Sequence, residues 1–429
     1  MNDVYKIIID KLNDENVNVR LDSLTQLIKL VEANDIATPV KGTDVNNHIH
    51  TTYSFSPYSP TKAIWMAYLA GLSTAGIMDH DSIGGADEFR KAGKIAGIET
   101  TTGIECRVDI SPTPLNGRRT NNPDQNTISY VALHGIPSSQ IKTIRDFFAP
   151  YTLERNKRNR AMVSNLNDYF RPYDVSLDFE KDIVPLSMYH DGGSITERHL
   201  LYALSLKLIE TFGRGQNLIA FLTEKLSIEI NDKIRNLLSD LNNPFYTYDL
   251  LGLLKSDLVS IFYVNATEEC PSIDKILALS RKTGSIFAYP YLGDIVNSVT
   301  GDKKAQKFED DYIELLFDYL KEAGFNAVTY MPSRNTRAQL EKIKALCEKY
   351  DLFQISGEDI NSPRQSFICE AMRDDFFKNL KDATWALIGH EKQASIDLTK
   401  GMFSAETVKL FPTLTQRVSH YMKLAKNTL

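Results

Sequence analysis

Short β-like runs that stop on a histidine or a carboxylate recur along this 429-residue chain, with amphipathic helical stretches between them. His48 and His50 close the first run, His80 the second, Glu105 the third, His134 the fourth and Asp359 a late one. Strands alternating with helices imply a mostly parallel sheet or barrel. Such folds carry their chemistry at the carboxyl ends of the strands, so these side chains are expected to meet on one rim. The first run is the most telling. Only eight histidines occur in the chain, and two of them stand one residue apart in His48-Ile49-His50. Residues two apart on a strand point to the same face. Both imidazoles then project one way at a strand end, which suits a transition metal. The plain alternative is a pair of partly buried histidines with ordinary hydrogen bonds.

The rest of the chain arranges itself around this rhythm. Two helices are expected over 3–34, broken at Asn13-Asp14-Glu15-Asn16, and 1–42 reads as an N-terminal helical appendage. Residues 43–139 give the first part of a barrel, with a helix over 84–97 and a polar loop over 112–127. Residues 140–280 read as a mostly helical insertion over the barrel mouth, with helices at 141–148, 154–169, 197–212 and 216–241. The rhythm returns over 281–372, and 373–429 reads as a helical, peripheral tail. The expected fold class is therefore α/β, a TIM-like barrel with a helical insertion and helical appendages at both ends.

Composition narrows the function. A net charge of −6 argues against a general nucleic-acid binder, which would show a basic surface. Cys106, Cys270, Cys347 and Cys369 are widely spaced and form no metal knuckle, and they read as reduced thiols of a cytoplasmic protein. No window approaches 18 uninterrupted apolar residues, so no membrane span is expected. The mix of imidazole and carboxylate suits zinc, manganese or iron better than calcium. Glu105 is the candidate to bridge two such ions.

Four motifs in order, His48-Ile49-His50-Thr51, Met78-Asp79-His80-Asp81, Gly103-Ile104-Glu105 and Gly357-Glu358-Asp359, resemble those of the PHP (polymerase and histidinol phosphatase) family. The likeness covers about 43–136 and 283–370. It implies a distorted (β/α)7 barrel and a metal-dependent phosphoesterase that cleaves a small phosphate ester through a metal-activated water. Carried over residue by residue, it implies His48, His50, His80, Glu105 and Asp359 as metal ligands, with His134 added. It also sets His199, on a helix with Arg198, toward the substrate as an acid, and Arg198 as a phosphate contact. Asp79 and Asp81 stand either as partners that orient the imidazoles or as caps of the next helix. Arg334 and Arg364 follow strand ends and can grip phosphate bidentately, although arginines in loops are common. His190 beside His199 is a candidate pocket residue, and His390 and His420 are expected at the surface.

The chain departs from the family pattern at three places. Phe55, Tyr289 and Asn361 stand where further ligands are expected. The resemblance then implies one or two divalent ions rather than three. Two other readings follow from the same residues. One is a degenerate barrel that binds a metal or ligand without turnover, and the other is a PHP-type exonuclease.

Overall fold

The computed structural model describes residues 3–38, 40–295 and 306–427; the expected segments 1–42, 281–372 and 373–429 each include residues outside this set. Seven strands follow one another in spatial order: β1 (Val45–Ile49), β2 (Thr74–His80), β3 (Glu99–Asp109), β4 (Ile128–His134), β5 (Ile286–Pro290), β6 (Ala327–Tyr330) and β7 (Phe353–Ser356). The sheet curls until its last strand returns to its first. The chain leaving β7 bridges β1 at Ile49 and Ile360, where His50 N donates to Ile360 O (2.9 Å) and Ile360 N to His48 O (3.0 Å). The result is a nearly closed seven-stranded α/β barrel. Among the described residues no helix is long and apolar enough to cross a membrane.

Two expectations about the strands are corrected. β4 runs antiparallel to both β3 and β5. A parallel neighbour needs a crossover, usually a helix packed on the sheet, whereas Ile110 to Thr127 stays an irregular polar loop closed by Ile110 N donating to Thr127 O (2.9 Å), so the chain turns back beside β3. The third run also does not stop at Glu105. β3 continues to Asp109, because its far half pairs with β4 from Glu105↔Ala132 to Asp109↔Ile128.

Because β4 descends, the insertion leaves from the rim opposite the carboxyl ends of the parallel strands. One helix, Ile141–Phe170, replaces the two expected there and passes through Pro150. Its apolar and polar contacts, from Ile144 and Phe148 to Met162 and Leu166, hold it despite the missing backbone donor. At 30 residues it is roughly 45 Å long, enough to climb the barrel wall to the mouth. There Arg155 meets Asp81 just past β2. The expected helix 216–241 is instead broken. Ser227 adopts φ +55°, and a new helix Asp232–Ser239 begins at its Asn231 cap. The turn 192–194 sits on the rim, with Ser194 Oγ donating to His80 O (2.6 Å) and Ser82 Oγ to Gly192 O (2.7 Å).

The tail is helical as expected but not peripheral. The helix Lys378–Ile396 closes the bottom of the barrel, where Asn47 Nδ2 donates to Thr384 Oγ1 (2.8 Å) and Glu391 accepts from Thr102 N (2.7 Å). His390, expected at the surface, is buried and its Nδ1 accepts from Met402 N (2.9 Å). A Cβ at Gly389 would lie 2.0 Å from Tyr421 O, so only glycine lets the last helix, Leu414–Lys426, lie this close. The N-terminal helix Val17–Glu32 is tied to the barrel by the buried pair Arg20–Glu88.

Candidate metal centre

The sequence puts short polar side chains on β1 where a barrel strand is usually apolar, and each has a partner. Asn46 Oδ1 accepts from His48 N (3.0 Å), and Asn47 Nδ2 donates to Ser356 O (2.7 Å). These bonds fix the end of β1 and with it the two imidazoles. His48 Nε2 and His50 Nε2 lie 3.2 Å apart. Glu105 Oε2 is 3.7 Å from His48 Nε2 and 3.3 Å from His80 Nδ1. Asp359 Oδ1 is 3.2 Å from His50 Nε2. Five of the six expected ligands therefore converge, and His48, His50 and Glu105 each offer an atom within 4.8 Å of the other two.

The donor set fits a divalent ion. Ligand atoms about 2.1 Å from a tetrahedral centre stand about 3.4 Å apart, close to the spacings found here. The hydrogen-bond chain behind His50 favours the same use. Ser54 Oγ donates to Asp79 Oδ1 (2.7 Å) and so faces His50 Nδ1 (3.2 Å) with a lone pair. That network assigns the His50 proton to Nδ1 and leaves Nε2 free to coordinate. Asp79 also accepts from Thr51 N (2.7 Å) and Thr51 Oγ1 (2.6 Å). It therefore orients the loop after β1 rather than reaching substrate. Glu105 Oε2, between His48 and His80, sits where a bridging carboxylate would.

Electrostatics match the crowding. Burial disfavours a charge on His48, but Glu105, Asp359 and Glu358 outweigh it and raise its pKa. Burial, with His50 next to it, holds His80 well below the usual imidazole range. Burial would raise Asp359, yet His50, His48 and Arg198 bring it well below the usual carboxylate range. Asn361 Nδ2 donates to Asp359 Oδ1 (2.7 Å), so this substituted position steadies the carboxylate.

Other expected site residues are placed elsewhere or occupied. His134 ends a descending strand, so it lies deeper in the barrel, with Nε2 3.1 Å from Thr329 Oγ1 and its pKa lowered to about 3 by burial. His199 is not poised as an acid. Its Nδ1 accepts from Thr196 N (3.0 Å) in a helix cap, and burial lowers its pKa to about 3, so the imidazolium is absent near neutrality. Asp81 is buried and pairs with Arg155. Arg364 is spent on Asp249, at 2.7 and 2.8 Å. Arg334 Nε donates to Leu292 O (3.3 Å) in the loop after β5. Phe55 packs on His199, Tyr202 and Tyr248. Tyr289 cannot stand in as a ligand, because it lies on the outer face of β5 and its hydroxyl donates to Glu309 Oε1 (2.9 Å). His190 is exposed on the 189–191 turn.

Arg198 is half-buried, next in sequence to the Glu197 that Arg107 and Arg158 hold, and burial lowers its pKa against the opposing charges of Asp359, Tyr130 and Glu197. Two neighbours escaped the sequence reading. Tyr130 faces His80, ring centres 5.7 Å apart. On a strand of known direction its position follows from the period of two, since Tyr130, Ala132 and His134 share the inner face. Lys255 lies on the helix Tyr246–Phe262, where Leu251 and Leu258 flank it at helical spacing. A lysine inside such an apolar stripe is the signal that could have marked it.

No family model matches the chain. Over 58 residues it is 43% identical to a 5′-3′ exoribonuclease of Haemophilus influenzae (strain Rd), a stretch that is 14% of this chain and 21% of that protein. The chain thus spans about a fifth of that relative. Among solved structures, one from Bifidobacterium adolescentis, provisionally described as a metal-dependent phosphoesterase, aligns with 79% of this chain and 96% of its own. The identity is 16% and the TM-score 0.49. An amidohydrolase from Chromobacterium violaceum with bound sulfate and no metal aligns with 76% of this chain and 90% of its own, at 15% identity and a TM-score of 0.48. Likenesses of this order do not bear on chemistry or substrate.

Proposed function

We propose that this protein is a metal-dependent hydrolase of phosphate esters on small molecules. The observation that carries the reading is the convergence of His48, His50, His80, Glu105 and Asp359 on one rim. His48, His50, Glu105 and Asp359 would hold one divalent ion, and His80 with Glu105 would serve a second. An ion there supplies Lewis acidity, acidifying water and screening phosphate charge. The remaining work belongs to the chain. Ser54 and Asp79 keep the His50 lone pair aimed inward. Arg198 offers donors to phosphate oxygens whose charge grows as the ester bond breaks. Asp359, held well below the usual carboxylate range, keeps a negative charge against the cations. The helical insertion, whose 192–194 turn rests on the rim, limits access to small substrates. No histidine here is expected to protonate the leaving group, since the one proposed from sequence is a cap.

A second reading rests on the 58-residue likeness to an exoribonuclease, and the same centre would then cut a phosphodiester. One set of assays tests both. The purified protein is analysed for metal and assayed with Mn²⁺ or Zn²⁺ on p-nitrophenyl phosphate, sugar phosphates, nucleotides and an oligoribonucleotide. His48→Ala is expected to lose bound metal and at least about a hundredfold in rate, because losing a side chain that would hold the ion removes more than the 10–100-fold typical of the groups that hydrogen-bond to ligands. Unchanged metal content and activity in that variant would overturn the hydrolase reading. Activity confined to the oligoribonucleotide would favour the second.

A further inference from the structure

Lys255 and Arg198 stand on adjacent helices of the insertion, Tyr246–Phe262 and Glu197–Phe212, which pack against each other. Both side chains are half-buried. Neither makes an ion pair among the described residues, although the surrounding arginines are fully committed. Arg107 holds Glu197 (3.1 Å) and Glu269 (2.7 Å), Arg158 holds the same two carboxylates, and Arg155 holds Asp81. The two cations repel each other more than nearby acids relieve them. At Lys255 the charge of Arg198 is the largest influence, burial adds to it, and Asp124, Glu197 and Asp359 oppose both without prevailing, so its pKa falls to about 8. At Arg198 burial weighs most and lowers its pKa, with Asp359, Tyr130 and Glu197 opposing it. The two helices run antiparallel, since Arg158 bonds both Glu197 and Val264 O while Tyr202 packs on Tyr248, so the start of one helix, with Arg198, lies beside the far half of the other, with Lys255.

Two half-buried, unpaired cations next to each other are costly unless something anionic completes them. The charge count says what fits. Glu105 and Asp359 offset the first divalent ion, which leaves Arg198 and Lys255 to match two further negative charges, and a second ion beside His80 would only enlarge that positive excess. A phosphate monoester dianion carries two, and a phosphodiester carries one. Arginine gives a planar fork and lysine a compact point charge, which together can hold the non-bridging oxygens of one phosphate.

We propose that Arg198 and Lys255 form an anion subsite beside the metal centre that takes the non-bridging oxygens of the substrate phosphate and selects dianionic monoesters over diesters. This rests on the hydrolase reading for its substrate, but the subsite itself can be tested without turnover. Calorimetry with inorganic phosphate measures the subsite directly on the metal-loaded full chain. Lys255→Met keeps the aliphatic stem and removes the charge. It is expected to weaken phosphate about 10–100-fold, the loss of one hydrogen bond to a charged group. Lys255→Arg is expected to recover most of that. Should the Met variant fail to fold by circular dichroism, Lys255→Gln against Lys255→Arg carries the same comparison. Kinetics with p-nitrophenyl phosphate and bis(p-nitrophenyl) phosphate then read specificity. In the neutral variant kcat/KM for the monoester is expected to fall at least tenfold more than for the diester, mostly through KM. Phosphate binding that is as tight in Lys255→Met as in the wild type overturns the subsite, and so do equal losses on the two esters. A wild type that binds phosphate through Lys255 yet hydrolyses neither ester keeps the subsite and overturns the hydrolase reading instead.

Discussion

At the scale of single residues, Asp79 carries more of the centre than its distance from any ligand atom suggests. It accepts from Thr51 N, Thr51 Oγ1 and Ser54 Oγ, and through Ser54 it fixes the His50 tautomer. Asp79→Ala is expected to leave the buried Thr51 N–H unsatisfied, at a cost of about 1–3 kcal/mol. It should also free Ser54 to turn, weakening metal binding about 10–100-fold. Urea denaturation and a metal titration check the two effects separately, and unaltered metal affinity would show that Ser54 needs no such anchor. The ligands were legible because a strand has period two and its end marks a rim, so His48-x-His50 could face only one way. Their supports were not legible, since Ser54 and Asp79 meet through a turn that no periodicity encodes. His199 misled for a related reason. A histidine three residues into a helix reads the same whether its Nδ1 caps the helix or its ring meets a substrate.

At the scale of elements, the centre depends on the seam between β1 and the chain after β7. A Cβ on Gly357 would lie 2.7 Å from both His48 Cβ and His48 N, and 3.0 Å from Asn47 C. The backbone there has little room to yield, because Asn47 Nδ2 grips Ser356 O and Ile360 is bonded on both sides of Ile49. Gly357→Ala is expected to cost about 1–3 kcal/mol as overpacking. It should also push Asp359 away from His50 and lower metal occupancy. A variant with wild-type urea midpoint and metal content would mean that the seam opens freely. Helices such as Ala86–Ala96, ended by Gly97 at φ +65°, follow directly from local signals. Strand direction does not. Ile128 to His134 reads alike going up or down, and only the absence of a crossover helix before it decides. That one choice moved His134 out of the cluster and brought Tyr130 to it.

At the scale of the whole molecule, the two ends of the barrel are held by opposite electrostatic devices. Above, Glu197 and Glu269 join Arg107, Arg155 and Arg158, tying the insertion to β3 and the rim. Burial alone would raise both carboxyls, but the arginines bring Glu197 well below the usual range and Glu269 below it. Their contribution to stability is complete above the unfolded carboxylate pKa and is lost as pH falls through the folded values. Below, Glu391 lies under β3 against Thr102, and burial pushes it up to about 8; Glu309 behind β5 is pushed up to about 7. These two bind protons more tightly in the folded state. Their stabilising effect is therefore complete below the unfolded pKa, near 4.5, and is lost as pH rises to about 7 for one and about 8 for the other. Buried His80, His134, His199 and His390, held neutral in the fold, add stability as pH rises to their unfolded value near 6.5, so the decline due to the two carboxyls is expected to show between about pH 6.5 and pH 8. Glu391→Gln removes one of the two titrations while keeping an oxygen for the Thr102 N–H, so its urea midpoint should change less over that range than the wild type's. If the variant and the wild type lose stability in parallel between pH 6.5 and 8, Glu391 is already ionised in the fold. The bottom helix would then be held to the barrel by a charged carboxylate.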